Sequence, residues 1–142
     1  MNPLGKIPVV KDKDLVIWES YTILRYLAAT YVDASLYPPH PKERTVVERW
    51  MDWSHTTLQP AFMELFWNYY RTPTNQQNGA LISKAAQACE KQFAYLDQLL
   101  AKQPYLAGHH FSLADIPAGT TLYRYFNMGY PVTEYPNIIK WY

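Results

Sequence analysis

The sequence predicts a mostly α-helical protein headed by a small α/β unit, a β-hairpin with one helix. Three observations carry this reading. Two short apolar runs near the start, Ile7-Pro8-Val9-Val10 and Leu15-Val16-Ile17, flank the polar stretch Lys11-Asp12-Lys13-Asp14, the layout of a hairpin. From Ile23 onward the apolar residues recur at helical spacing. Between the two regimes stands Tyr37-Pro38-Pro39-His40-Pro41, which no helix can cross. The boundary is placed there, giving a first unit over residues 1–37 and a helical unit over residues 38–142.

The elements follow in order. Pro8 has no N–H to give to a ladder, so it belongs at a strand start, at an edge or in a cis bond. Ile23, Leu24, Leu27, Ala28 and Tyr31 form one helical face, and Glu19-Ser20 precedes it with groups suited to free N-terminal amides. A long helix is expected from about Lys42 to Tyr70, interrupted and kinked at Pro60. Arg71 to Gly79 reads as a polar loop. A further helix covers about Ala80 to Lys102, with a buried stripe that includes Ala85, Cys89, Phe93 and Leu96. Ser112-Leu113-Ala114-Asp115 is a capping box that opens the next helix, with Phe111 and Ile116 placed as a hydrophobic staple. That helix runs to about Met128 and ends at Gly129-Tyr130-Pro131. Pro136 to Tyr142 looks like the opening of one more helix, which the sequence leaves incomplete.

Composition excludes several classes. The 142 residues are 49 % hydrophobic and 18 % charged, which is the opposite of a disordered chain. Thirteen basic against 12 acidic residues argue against electrostatic binding of nucleic acid. No apolar run approaches the ~20 residues of a membrane span, and the start lacks the layout of a secretion signal. The single cysteine, Cys89, allows no internal disulfide and points to a reducing compartment, hence the cytoplasm. Aromatic residues reach 16 %, a high share for a domain of this size, and supply both core and candidate ligand or partner surfaces.

No catalytic constellation is complete. His109-His110 lacks a further donor at ligand spacing, so no metal is expected. Cys89 lies on an apolar stripe and reads as a small hydrophobe. Asp115 is accounted for by its cap. Arg71 and Arg124 could meet anions, although solvated arginines near helix ends are common. One arrangement stands out. A proline-containing strand leads through a hairpin to Glu19-Ser20 at a helix N-terminus, where free amides and the helix dipole attract carboxylates. Ser20 adds a hydroxyl, Lys6 a charge, and the backbone beside Pro8 an edge for an extended peptide.

At these residues the sequence resembles the glutathione S-transferase family, in particular its bacterial and theta-like members. Asn2-Pro3-Leu4-Gly5-Lys6-Ile7-Pro8-Val9-Val10 followed by Trp18-Glu19-Ser20 is similar to the second half of the family's thioredoxin-like N-terminal domain. Arg49-Trp50-Met51-Asp52-Trp53 resembles the first long helix of its all-α C-terminal domain. Tyr105-Leu106-Ala107-Gly108 with Phe111 to Ile116 resembles the folding cap of that domain.

The resemblance implies roles residue by residue. Pro8 is the family's cis-proline, exposing the Ile7 backbone to the cysteinyl part of glutathione. Glu19 and Ser20 hold the γ-glutamyl end, Lys6 approaches the glycyl carboxylate, and Ser112 with Asp115 form the structural cap. Glutathione is then the co-substrate, with a small hydrophobic electrophile as second substrate and Trp53, His55, Phe62 and Tyr123 as candidates for its pocket. The resemblance also implies a homodimer, without nucleic-acid or membrane partners. Tyr21-Thr22 departs from the family's more usual Asn-Ala after Glu-Ser. The family's catalytic Ser, Tyr or Cys precedes the Asn-Pro motif, and here Met1 stands directly before Asn2. The expectation is therefore a chain truncated at the N-terminus and shortened at the C-terminus, with no residue at the catalytic position. Its alternative is a non-catalytic interaction module of the same fold.

Overall fold

The computed structural model describes residues 2–131 and 133–142. A hairpin of β1 (Val9–Asp12) and β2 (Leu15–Trp18) leads into α1 (Ser20–Tyr31). The strands pair antiparallel in the register Val9↔Trp18, Val10↔Ile17, Lys11↔Val16 and Asp12↔Leu15. The first strand thus starts two residues later than expected and takes in Lys11 and Asp12. Pro8 cannot join the ladder, and the Ile7–Pro8 peptide bond is cis. The turn shrinks to Lys13-Asp14, with Lys13 in the left-handed region at φ 54°.

One carboxylate ties the hairpin to its helix. The hydroxyls of Tyr26 and Tyr31 both donate to Asp12 Oδ2, the first at 2.6 Å. These bonds hold the Asp12 carboxyl below its ordinary range and push the Tyr31 hydroxyl up to about 12.

The long helix runs from Pro41 to Arg71, but not in one register. It comprises α2 (Pro41–Trp53), a π turn at Ser54–Leu58, α3 (Gln59–Leu65) and a second π turn at Phe66–Arg71. The first π turn sits directly before Pro60, where the Gln59 N–H reaches back five residues to the Ser54 carbonyl. The interruption expected at Pro60 takes this form: the widened turn steps the ladder past a residue without an N–H.

After a short 3-10 turn at Thr74–Gln76 comes α4 (Gly79–Leu100). Its cap is Asn78, whose Oδ1 accepts from the amides of Ala80 and Leu81. α5 (Asp115–Asn127) and α6 (Pro136–Trp141) complete the chain. The opening amides of α6, Asn137 and Ile138, both donate to Asp97 Oδ1 of α4, at 2.9 and 3.0 Å. That carboxylate therefore docks the last helix.

One apolar core unites the helices. Met51, Leu58, Phe62, Leu65, Phe93, Leu96, Leu122 and Ile138 are all buried, and Ala28 brings α1 into the same cluster. Phe93 packs on Tyr125 with ring centroids 4.5 Å apart. Cys89 is buried and unpaired, and burial pushes its thiol up to about 12, so it behaves as a hydrophobe. Polar bonds join the first unit to the helical body. Arg25 of α1 pairs with Asp52 of α2 at 2.6 Å, and its Nε lies 3.7 Å from Glu48. Glu48 accepts from the Tyr37 hydroxyl at 2.5 Å, and the Leu113 N–H donates to the Leu36 carbonyl at 3.0 Å.

Ser112 and Asp115 form a cap of wider reach than the spacing alone shows. The Ser112 N–H donates to Asp115 Oδ2 at 2.9 Å, and Ser112 Oγ accepts from the Ala114 amide at 3.3 Å. Ser112 Oγ also lies 3.2 Å from Asp115 Oδ2. The other carboxylate oxygen accepts from the Leu106 N–H at 3.0 Å and from Trp141 Nε1 at 2.9 Å. Asp115 is 2 % exposed. Phe111, the proposed staple residue, is half exposed and meets Tyr105 edge-on at 6.0 Å.

Removing this carboxylate strands several buried donors at once. Asp115→Ala is expected to lower stability by about 3 kcal/mol or more, since each unsatisfied buried donor costs about 1–3 kcal/mol. Ser112→Ala should cost about 1 kcal/mol, the usual value of a cap. Urea unfolding of the two variants checks this; equal losses would show that Asp115 does no more than cap.

Candidate functional site

The site grows from two neighbouring pieces of backbone. The first is a turn built by Asn2, whose Oδ1 accepts from the Leu4 N–H at 2.9 Å and whose Nδ2 donates to the Lys6 carbonyl at 2.7 Å. Its main chain also closes on the Gly5 N–H at 3.1 Å, with Gly5 at φ 65°, a conformation that favours glycine. This turn presents Lys6, Ile7 and Pro8 to solvent, with Ile7 92 % exposed. The second piece is Glu19-Ser20 at the start of α1. Glu19 has φ 69° and ψ 116°, and its side chain makes no capping hydrogen bond. The first amides of α1 therefore have no side-chain partner at the cap position, and Glu19 and Ser20 are both exposed. A non-glycine residue in this region is strained by about 1–3 kcal/mol, a condition that clusters at ligand sites.

Pro8 and Ser20 line one cleft of about 370 Å³. Gln59 and Phe62 from α3 reach it, as do Thr120 and Arg124 from α5. The cleft thus joins the first unit to the helical unit, and Phe62, proposed from sequence, falls in it. Tyr123 lies elsewhere, in an adjoining groove of about 630 Å³ with Tyr105, Phe111 and Trp141. Glu19 borders a separate groove with Trp18 and Tyr26.

The other two pocket candidates line neither the cleft nor the adjoining groove. Trp53 packs edge-on against Trp50 at 5.5 Å and also meets Tyr95 at 6.2 Å. It stands nine residues before Phe62, with the first π turn between the two. His55 tilts onto the Tyr21 ring at 4.8 Å and stays outside the cleft. Sequence reasoning missed Gln59, Thr120 and the Asn2 anchor. Thr120 and Arg124 are one turn apart on α5, a spacing that carries no signal until the helix has a neighbour. Among the described residues no group of three or more His, Cys, Asp or Glu side chains could hold a metal ion. Among the described residues no helix is long and apolar enough to cross a membrane.

Residues 58–142 match the family model for the glutathione S-transferase C-terminal domain, and residues 1–29 match its N-terminal domain. The chain belongs to the glutathione S-transferase family.

Its relatives place it near the theta class. It is 38 % identical over 144 residues to glutathione S-transferase GstB of Escherichia coli, covering 100 % of this chain and 69 % of that protein. Against rat glutathione S-transferase theta-1 the identity is 32 % over 148 residues, covering 100 % of this chain and 62 % of the relative. The crystal structure of a theta-class enzyme from Xanthomonas axonopodis pv. citri with glutathione bound superposes with a TM-score of 0.92 at 42 % identity. That match covers 99 % of this chain and 68 % of the other.

The strain at Glu19 can be tested without any ligand. Glu19→Gly is expected to raise thermal stability by about 1 kcal/mol, the relief of a positive φ less the flexibility that glycine adds to the unfolded chain. A melting curve with no gain would show that Glu19 is not strained.

Proposed function

We propose that this chain binds glutathione, the co-substrate whose thiolate the intact family form conjugates to a small hydrophobic electrophile, across Lys6, Ile7, Pro8, Glu19 and Ser20. The observation that carries the reading is the pairing, on one cleft, of the edge at Pro8 with the start of α1 at Ser20. Chemistry assigns the parts. The free main chain of Ile7 suits the extended cysteinyl portion, because a strand edge pairs with peptide backbone. Ser20 Oγ and the opening amides of α1 suit the γ-glutamyl carboxylate, helped by the helix dipole. Lys6 stands on the same exposed turn as Ile7, placed to approach the glycyl carboxylate. In the transfer itself, the thiolate sulfur attacks the electrophilic carbon and the leaving group departs with its electron pair. Phe62 lines the cleft on its helical side, and the aromatic groove of Tyr123 adjoins it along α5. The theta-class relative at TM-score 0.92 was solved with glutathione bound, which supports glutathione as the ligand.

Titration calorimetry tests the binding. Ser20→Ala is expected to weaken glutathione by about tenfold or more, the value of a hydrogen bond to a charged group. Unchanged affinity would remove Ser20 from the site, and no heat from the unmodified chain would remove the reading.

A second reading, a non-catalytic interaction module, draws on the aromatic surface at the second π turn. Trp67 and Tyr70 are more than half exposed, Phe66 stacks on Tyr70 at 5.2 Å, and Arg71 covers both Phe66 and Trp67. We also propose a homodimer in the cytoplasm, the latter because the one cysteine is buried and unpaired. Sedimentation should show a dimer at micromolar concentration; monomer alone at high concentration would overturn it.

A further inference from the structure

Ile116, Thr120 and Arg124 recur every fourth residue along α5 and share one face. All three line both the 370 Å³ cleft and the 630 Å³ groove, so this face is the wall common to the two. On the cleft side lie Pro8 and Ser20, and on the groove side lie the rings of Tyr105, Phe111, Tyr123 and Trp141.

Charge singles out Arg124. It is the one Asp, Glu, Lys or Arg among the residues lining the cleft. The groove adds only Asp115, which is 2 % exposed and whose two oxygens already accept from Leu106, Ser112 and Trp141. Among the described residues both ion pairs belong to Arg25, and Arg124 makes no side-chain hydrogen bond. An exposed, unpartnered guanidinium is therefore set between an aromatic groove and the cleft. Apolar walls weaken the solvent's screening of such a charge, and its planar fork matches a carboxylate or sulfonate.

We infer that Arg124 selects co-substrates made of an aromatic body and an anionic group, the body in the aromatic groove and the anion on the guanidinium. This rests on the glutathione reading of the adjoining cleft and names the class of second substrate. A neutral hydrophobe fills the groove but leaves Arg124 unused.

A matched pair of fluorescent probes tests it. 8-Anilinonaphthalene-1-sulfonate and N-phenyl-1-naphthylamine share one skeleton and differ by the sulfonate. The chain should bind the sulfonate at least about tenfold more tightly, the scale of one charge-assisted contact. Arg124→Met should erase that preference and leave the neutral probe's affinity unchanged, while Arg124→Lys keeps part of it, having charge without the fork. Circular dichroism confirms that both variants are folded. Equal binding of the two probes by the unmodified chain, absence of binding, or a preference that survives Arg124→Met each overturns the inference. Glutathione titrated in parallel separates the two readings. If glutathione gives no heat while the sulfonate still depends on Arg124, the glutathione reading fails and the anion site stands. If glutathione binds and the sulfonate preference ignores Arg124, only the present inference fails.

Discussion

The buried carboxylate of Asp115 is the constraint on which the helical body depends. Its oxygens accept from Leu106, Ser112 and Trp141, which belong to three separate stretches of chain. Burying an ionised carboxylate is expensive unless its lone pairs are filled by donors. The protein meets that cost with N–H and O–H groups rather than with a cation. The result is directional: a carboxylate held by several fixed donors fixes where each of them goes. The start of α5, the turn at Tyr105 to Gly108 and the end of α6 are set by one residue. The position of α5 in turn sets the shared face of Ile116, Thr120 and Arg124, and so the shape of both cavities.

A different kind of bond holds the first unit. Among the described residues its sheet has two strands, which is marginal by itself. It is secured by Tyr26 and Tyr31 on Asp12, by Arg25 on Asp52, and by Ala28 in the common core. Arg25 and Asp52 are partly open to solvent, so their attraction is screened and contributes modestly. Asp115 ties the helical body through buried donors, whereas Ile7 and Glu19 at the edge of the first unit are exposed and Glu19 has a positive φ.

Much of this was legible in the sequence for local reasons. The capping box needs only four residues, and Ser112 with Asp115 has the spacing. The hairpin, α1 and the stripe of α4 follow from periodicity. The long-range partners were not legible: nothing near Asp115 points to Trp141, 26 residues on, and nothing near Asp97 points to α6. The π turns were hidden for a subtler reason. Pro60 announces an interruption, but the sequence does not say whether the helix bends or widens. The same limit separates Phe62 from Trp53. Both are aromatic residues on one long helix, and only the neighbours of that helix decide which faces the cleft. Glu19 carries no cue for a positive φ, since glutamate is not a residue that favours it.

Gly119 gives the aromatic groove an unusual freedom to diverge. It lies on α5 at the lip of the groove, and a side chain there would first meet the rim of Trp141 at 3.8 Å, an ordinary contact. The position is not held to glycine by a positive φ or by a backbone in the way. A single codon change at this point alters the room available beside the rings while leaving the Asp115 anchor and Arg124 in place. Paralogues that arise from such a gene can therefore differ in the girth of the molecules they accept and still share one charge preference.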